Sequence, residues 1–159
     1  MHKDAKIATA AEVMRPSPIT LAPATPVADA TKTLLRKSIS GAPVVEGGRV
    51  VGMFSERDAL SAMAAACYAS EPSGTVEMHM RRDFRAVDAT TDLFTLAAVF
   101  EANPVRRLPV VDAQGSLLGL VLRGDVLRAL AEAIDAPPLH KEPPRTAYER
   151  AAERLEGPG

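Results

Sequence analysis

The sequence is poor in cysteine and in aromatic residues, and these shortages exclude several kinds of protein. Its one cysteine, Cys67, has no partner for an internal disulfide or for a cysteine-based metal site. Tryptophan is absent and aromatic residues make up 4% of the chain, so stacking platforms for single-stranded nucleic acid are scarce. The formal net charge of −1 provides no overall basic surface. We therefore expect no nucleic-acid partner.

Long apolar runs are also missing. Residues 2–6 lack the apolar core of a secretory signal, and the apolar stretch 62–67 is far too short to span a bilayer. A chain of 159 residues with 47% hydrophobic and 25% charged content is typical of one globular unit. We therefore expect a soluble, cytoplasmic protein with no membrane partner.

What the sequence does contain is an internal repeat. Its two copies are most similar over Ser40–Asp58 and Arg106–Asp125. Pro43 and Pro109 lie 66 residues apart, whereas the final aspartates of the two copies lie 67 apart, so one residue has been added in the turn between them. A repeat that keeps its register over this length indicates a duplicated structural unit.

The hydrophobic pattern predicts the same elements in each copy: a short strand, a helix, a strand hairpin and a second helix. In the first copy, Ile19–Leu21 is expected to be extended. Thr25 is expected to cap a helix whose first residue is Pro26, and Gly41 to close that segment.

The hairpin of the first copy is predicted from two apolar runs, Ala42–Val45 and Val50–Phe54. The helix after it is expected to start at Ser55 or the next residue. In the second copy, Thr91 occupies the expected capping place, and the last helix is expected to cover about Asp125–Ile134.

Residues 71–74 (Glu-Pro-Ser-Gly) are the expected boundary between the copies. We predict repeat one over residues 11–70 and repeat two over 75–135, and the short linker favours packing of one repeat against the other. Residues 136–159 form a polar C-terminal tail that is expected to be mobile or to dock on a partner.

In their order and spacing, these motifs resemble the cystathionine-β-synthase (CBS) domain. The resemblance rests on a Thr-Pro-Val helix start at Thr25–Val27, Gly-Ala-Pro-Val-Val at Gly41–Val45 and Val-Val-Gly-Met-Phe-Ser-Glu-Arg-Asp at Val50–Asp58. It covers about Ala11–Ile134, and two such domains in tandem resemble the Bateman module.

The resemblance implies a fold, a ligand class and a role. The expected fold is α/β (α+β), with two β-α-β-β-α repeats packed about a pseudo-twofold axis. Such modules have two clefts that commonly hold AMP, ADP, ATP or S-adenosylmethionine, and their role is regulatory rather than catalytic. They frequently assemble in pairs, and they transmit ligand binding to a regulated protein, whose identity is here unknown.

The chemistry of nucleotide binding points to specific side chains. An aspartate accepts hydrogen bonds from both ribose hydroxyls, and Asp58 and Asp125 each lie just inside a helix. Ser55 precedes the first of these helices and offers a phosphate seat, and Arg106 and Arg107 stand where similar modules place basic side chains that face phosphates. The expected ligand-binding residues are Ile19, Thr20, Gly41, Ala42, Pro43, Ser55, Asp58, Val87, Arg106, Arg107, Leu108, Pro109 and Asp125.

Simpler structural roles remain open for these residues. Ser55 can be a plain helix cap, and Asp58 can interact only with the helix dipole. The pair Arg106–Arg107 can be solvated or bound to a neighbouring carboxylate, and Arg57 and Arg81–Arg82 are expected to be surface charge. An aspartate that recurs in the second copy, where leucine replaces the serine, favours a ligand role.

Two alternatives to nucleotide sensing remain. An enzyme is not expected, because the chain has no Walker-type phosphate loop, no nucleophile–histidine arrangement and no paired metal-ligand string. We expect no metal and no required cofactor. The second alternative is a protein-interaction module whose clefts no longer bind ligand.

The two clefts are expected to differ. Ser40–Gly41 in repeat one corresponds to Arg106–Arg107 in repeat two, and Ser55 corresponds to Leu122. One site could combine Ser55 and Asp58 with arginine charge from the other repeat, and the other site would be weaker or empty.

A homodimer is the expected assembly, because such modules expose apolar helix surface after the repeats have paired. The apolar face expected to form the dimer comprises Ala59, Leu60, Met63, Leu127, Leu130 and Ile134.

Overall fold

Each repeat forms an antiparallel hairpin flanked by helices in the computed structural model, which describes residues 7–135. In chain order the elements are α1 Ala10–Val13, β1 Arg15–Pro16, α2 Val27–Lys37, β2 Gly41–Glu46, β3 Arg49–Ser55, α3 Glu56–Ala69, α4 Val76–His79, α5 Leu93–Ala102, β4 Arg107–Val111, β5 Leu117–Leu122 and α6 Arg123–Asp135. The α+β fold of two repeats is confirmed. The expectation for the tail, residues 136–159, lies outside the described residues.

The hairpin strands follow the predicted apolar runs. Strand β2 pairs with β3, and β4 pairs with β5, each with a bulge that shifts the register near the turn. Leu21 adds a parallel bridge beside Val44, and Val87 adds the matching bridge beside Val110. The extended segment predicted before the first helix therefore lies along the edge of its hairpin.

The first segment of each repeat, with α1 and β1 in repeat one and α4 in repeat two, packs on the other repeat. Strand β1 pairs with β5, where Arg15 lies opposite Leu120, and Arg81 after α4 bridges to Met53 in β3. Ala10 is fully buried in the core of repeat two, and Val76 is fully buried in the core of repeat one. Each repeat thus completes the sheet and the core of its neighbour.

The turns of the two hairpins also meet. Val50 N–H donates to the Gly115 carbonyl at 3.1 Å, and Leu117 N–H donates to the Gly48 carbonyl at 3.0 Å. Arg49 Nε donates to the Gln114 carbonyl at 2.6 Å. These backbone contacts hold the hairpins side by side between two separate apolar cores.

The predicted start and end of α2 are wrong. Pro26 is the N-cap residue, and the Thr25 hydroxyl instead accepts a hydrogen bond from Ala22 N–H at 3.3 Å. The first turn has another acceptor, because Val27 N–H donates to the Gly74 carbonyl at 2.9 Å. The helix ends at Lys37, its C-cap Ser38 adopts a left-handed conformation with φ 53°, and β2 begins three residues after Ser38.

The predicted cap of α5 is wrong by one residue. Asp92, not Thr91, is the N-cap, and its carboxylate accepts from Thr95 N–H at 2.9 Å. The Thr91 carbonyl accepts from Ala10 N–H at 2.7 Å, which ties the start of α5 to α1. A carboxylate one residue further along thus takes the capping role.

Candidate functional site

Ser55 and Asp58 form a reciprocal cap at the start of α3. Asp58 N–H donates to Ser55 Oγ at 3.3 Å, and Asp58 Oδ2 accepts from Ser55 N at 2.9 Å and from Ser55 Oγ at 3.0 Å. Among residues 7–135, Asp58 Oδ1 accepts no hydrogen bond, and its nearest cation is Arg81 Nε at 3.9 Å. The capping role is therefore confirmed, and it leaves one carboxylate oxygen available as an acceptor.

Arg107 extends from repeat two onto this part of repeat one. Its guanidinium donates to Ser40 Oγ and covers Gly41, where a Cβ atom would overlap it. Gly41 pairs with Ser55 across the hairpin, so Arg107 lies at the end of the hairpin where α3 begins. A cation from one repeat thus lies beside the helix start of the other.

The Arg107 guanidinium is half-buried and lacks a full counter-charge. Burial lowers the pKa of Arg107, the neighbouring Arg106 lowers it further, and Glu56 acts in the opposite direction. Neither arginine forms a salt bridge with any residue that the structure describes. A partly desolvated guanidinium of this kind favours an anionic partner.

Arg106 contributes its backbone rather than its side chain. Its carbonyl accepts from Arg123 N–H at 2.9 Å at the start of α6, as the Ser40 carbonyl accepts from Glu56 N–H at 2.9 Å at the start of α3. The Arg106 side chain is exposed. The two predicted arginines therefore differ, and only Arg107 contacts the other repeat.

Asp125 lies in a different environment from Asp58. Its Oδ2 accepts from Arg15 Nε at 3.0 Å, and its Oδ1 accepts from a second Arg15 nitrogen at 3.2 Å and from Arg128 at 2.8 Å. The hydrogen bond from Arg15 is the largest influence on the pKa of Asp125, which lies below its ordinary value. The aspartate of repeat two is thus ion-paired within the protein.

The predicted apolar site residues lie mostly inside the protein. The side chains of Ala42, Pro43, Leu108 and Pro109 are fully buried, and Val87 is 8% exposed. They offer almost no side-chain surface to a ligand and shape the site through their backbone. Strands β2 and β4 turn the first four of these side chains inward, and the ligand-binding role of all five residues stays a prediction.

Ile19 and Thr20 lie beside the hairpin of repeat one. Ile19 is half-buried and Thr20 is exposed. The next residue, Leu21, donates its N–H to the Pro43 carbonyl at 3.0 Å. The structure thus brings together Ser55, Asp58, Gly41 and Arg107, keeps Ile19 and Thr20 along the neighbouring edge, and places Asp125 in a separate cluster.

Three cations lie near the two aspartates in contacts that the sequence did not predict. Arg15 and Arg128 were not singled out, and Arg81, though exposed as expected, approaches Asp58. The sequence carries a signal for two of them, because Arg15 and Arg81 directly follow Met14 and Met80, which lie 66 residues apart as Pro43 and Pro109 do.

Residues 7–135 contain neither a metal-ligand cluster nor a membrane-spanning helix. Within this range, no group of three or more histidine, cysteine, aspartate or glutamate side chains could hold a metal ion. No helix of the same range is long and apolar enough to cross a membrane.

Comparison with known families gives matches to both repeats. The family model of the CBS domain matches residues 10–65 and again residues 75–132. The solved structure of CBSX2 from Arabidopsis thaliana in complex with AMP is 30% identical, with a TM-score of 0.70 over 79% of this chain and 97% of that one.

Curated relatives are matched over part of their length. An inosine-5'-monophosphate dehydrogenase from Thermoplasma acidophilum is 27% identical over 108 residues, which are 68% of this chain and 21% of that protein. An uncharacterized 17.7 kDa protein from Acidianus ambivalens is 28% identical over 67% of this chain and 63% of its own length. The chain therefore spans about a fifth of the length of the first relative and somewhat less than two thirds of the length of the second.

Proposed function

Because this chain belongs to the CBS domain family and carries two copies of the domain, we propose that it is a regulatory module that binds an adenosine-containing nucleotide. The ligand class is AMP, ADP, ATP or S-adenosylmethionine. Binding is passed on to a partner protein, the chain itself is not an enzyme, and it works in the cytoplasm. The AMP complex of CBSX2, at 30% identity, supports this ligand class.

One observation carries the proposal: Arg107 of repeat two lies beside the helix start that Ser55 and Asp58 form in repeat one. We call Ser55, Asp58 and Arg107 the repeat-one site. Asp58 Oδ1 is available to accept from ribose hydroxyls, whereas the helix N-terminus and the guanidinium favour phosphate. A nucleotide needs an acceptor for its ribose hydroxyls and donors for its phosphates. Here repeat one supplies the acceptor and the helix N-terminus, and repeat two supplies the guanidinium.

A second candidate function is protein interaction without a nucleotide. It is favoured by exposed apolar side chains on α3 and α6: Leu60 is 72% exposed, Leu127 68% and Ile134 82%. The same face supports the proposed homodimer. Ala59 does not belong to it, because this residue is buried in the core of repeat one, and Met63 and Leu130 are half-buried against the cores.

A melting-temperature screen separates the two functions. A ligand that binds only the folded state raises the melting temperature, by an amount that grows with its concentration. We expect AMP, ADP, ATP or S-adenosylmethionine to raise it, and matched guanine and cytosine nucleotides to raise it less. If none of the adenosine compounds changes the melting temperature at millimolar concentration, the interaction module becomes the better account.

A further inference from the structure

Both oxygens of the Asp125 carboxylate accept hydrogen bonds from arginines of the chain itself. Arg15 approaches both of its oxygens, and Arg128, one turn along α6, adds a contact of 2.8 Å to Oδ1. Oδ1 thus has two charged donors and Oδ2 has one. The carboxylate is 12% exposed, and the arginine side chains that cover it are 61% and 66% exposed.

Repeat one lacks half of this arrangement. The counterpart of Arg15 is Arg81, whose Nε is 3.9 Å from Asp58 Oδ1, beyond hydrogen-bond distance. The counterpart of Arg128, 67 residues earlier, is the exposed Ser61. The two aspartates therefore occupy equivalent places in the fold but differ in how many of their acceptor sites are in use.

A ribose must compete with these arginines for Asp125. Both kinds of donor form charge-assisted hydrogen bonds to a carboxylate, but a guanidinium adds the attraction between two opposite charges, which a neutral hydroxyl lacks. A pair of neutral hydroxyls would have to displace two guanidinium groups from Asp125, but none from Oδ1 of Asp58. We call the place at Asp125 that corresponds to the repeat-one site the repeat-two cleft. A nucleotide that binds there must displace these arginines, and one that binds at the repeat-one site need not.

We propose that Arg15 and Arg128 determine which of the two clefts takes nucleotide, by holding Asp125 in an ion-paired latch. The proposal rests on the proposed function and names the residues that control it. With the latch closed, nucleotide binds at the repeat-one site. The repeat-two cleft takes a second nucleotide only when the latch opens.

The latch also connects binding to the packing of the repeats. Arg15 belongs to β1, which pairs with β5 of repeat two, and Asp125 lies in the first turn of α6. With Val13, Ala129 and Glu132, the three latch residues line an open groove of about 260 Å³ between these elements. Opening the latch releases the side-chain link between β1 and α6.

Calorimetric titration with AMP tests the latch through paired substitutions. The wild-type protein is expected to bind one AMP per chain. The double variant Arg15→Met/Arg128→Ser removes the latch and is expected to bind a second AMP. The variant Ser61→Arg places a latch arginine beside Asp58 and is expected to weaken the first AMP roughly tenfold or more, as loss of a charged hydrogen bond does.

Matched controls keep the test specific. Arg123→Ser removes an exposed arginine of α6, and Ala64→Arg adds one to an exposed position of α3. Both are expected to bind AMP as the wild-type protein does, and thermal melting followed by circular dichroism checks that every variant is folded. The latch is overturned if the folded double variant still binds one AMP, or if Ser61→Arg binds as tightly as Ala64→Arg. A wild-type protein that binds none of AMP, ADP, ATP and S-adenosylmethionine would overturn the proposed function, and the latch with it.

Discussion

Asp125 shows how one carboxylate can link distant parts of the chain. Its contact with Arg15 joins residues 110 positions apart in sequence. The pKa of Asp125 is lowered chiefly by the hydrogen bond from Arg15, so the folded state binds a proton less readily at this carboxylate than the unfolded chain does. A lowered carboxylate pKa makes stability depend on pH.

The pH dependence has a defined direction. The contribution of Asp125 is fully present above the ordinary aspartate pKa of about 3.9, and it is lost as the pH falls through the lower pKa of the folded state. Urea unfolding should therefore show that Asp125→Asn is less stable than wild type at neutral pH. The difference should shrink below about pH 4. A difference that stays constant across this range would contradict the assignment.

Arg107 should recognise phosphate rather than adenosine. A guanidinium gains interaction with each added phosphate, whereas a base and a ribose gain nothing from it. Arg107→Ala should therefore weaken ATP and ADP more than AMP and leave adenosine nearly unchanged in calorimetric titrations. Arg106→Ala is the matched control, because that side chain is exposed. If the loss of Arg107 weakens adenosine binding as much as ATP binding, the role of Arg107 is structural and not phosphate recognition.

Salt gives an independent check on the same residue. Added salt screens partly exposed charges over a Debye length of about 8 Å at physiological ionic strength. The preference of wild-type protein for ATP over adenosine should therefore fall as salt rises, and it should fall less in Arg107→Ala. A preference that does not change with salt would place the phosphate away from the guanidinium.

At the scale of elements, the first segment of each repeat packs closely against a strand of the other repeat. A Cβ atom at Gly119 in β5 would lie 2.6 Å from Met14 Sδ and 2.8 Å from the Arg15 carbonyl. Gly52 in β3 has the equivalent approach from Met80 Sδ, also at 2.6 Å. Each glycine thus lies where the first segment of the other repeat crosses the strand, and no side chain fits there.

Gly119→Ala should lower the free energy of unfolding by about 1–3 kcal/mol, the usual cost of forcing extra volume into a packed site. Urea unfolding measures the loss. The control is Gly124→Ala in α6, where a Cβ atom would meet nothing within 4 Å and where alanine suits a helix better than glycine. Equal stability of the two variants would show that β1 is not held as described.

The sequence predicts local elements well and contacts between repeats poorly. The hairpins and α2, α3, α5 and α6 follow from apolar periodicity, and Ser55 with Asp58 could be recognised because the two partners of this cap lie three positions apart in sequence. The four-residue helices α1 and α4 and the two-residue β1 are too short to show a period. The packing of these short elements on the other repeat depends on contacts between residues far apart in sequence. The same holds for the contact of Arg15 with Asp125.

At the scale of the whole molecule, the two repeats have the same order of helices and hairpin strands but differ in where their charged side chains lie. The nucleotide proposed here would contact Asp58 of repeat one and Arg107 of repeat two together. Binding would therefore draw the repeats toward each other. A dimer formed through α3 and α6, the helices that follow the two aspartates, would pass that movement to a second chain.

Light scattering tests the proposed homodimer. The wild-type chain should show twice its own mass of 16.8 kDa at micromolar concentration, because exposed apolar side chains on α3 and α6 are expected to be covered. Leu127→Glu should shift the protein toward the monomer. Leu35→Glu, at a position of α2 that is 68% exposed, should not. A wild-type mass of one chain would contradict the dimer.

The central claim is that an adenosine nucleotide binds at Asp58, and a calorimetric titration of AMP into wild-type protein and Asp58→Ala tests it most directly. The account predicts that Asp58→Ala loses about 1.5–3 kcal/mol of AMP binding free energy, because a charged acceptor of the ribose hydroxyls is removed. The variant should still fold, at a cost of roughly 0.5–2 kcal/mol for the lost cap interaction. Unchanged AMP affinity in folded Asp58→Ala would contradict the account and move the ribose contact elsewhere, most obviously to Asp125.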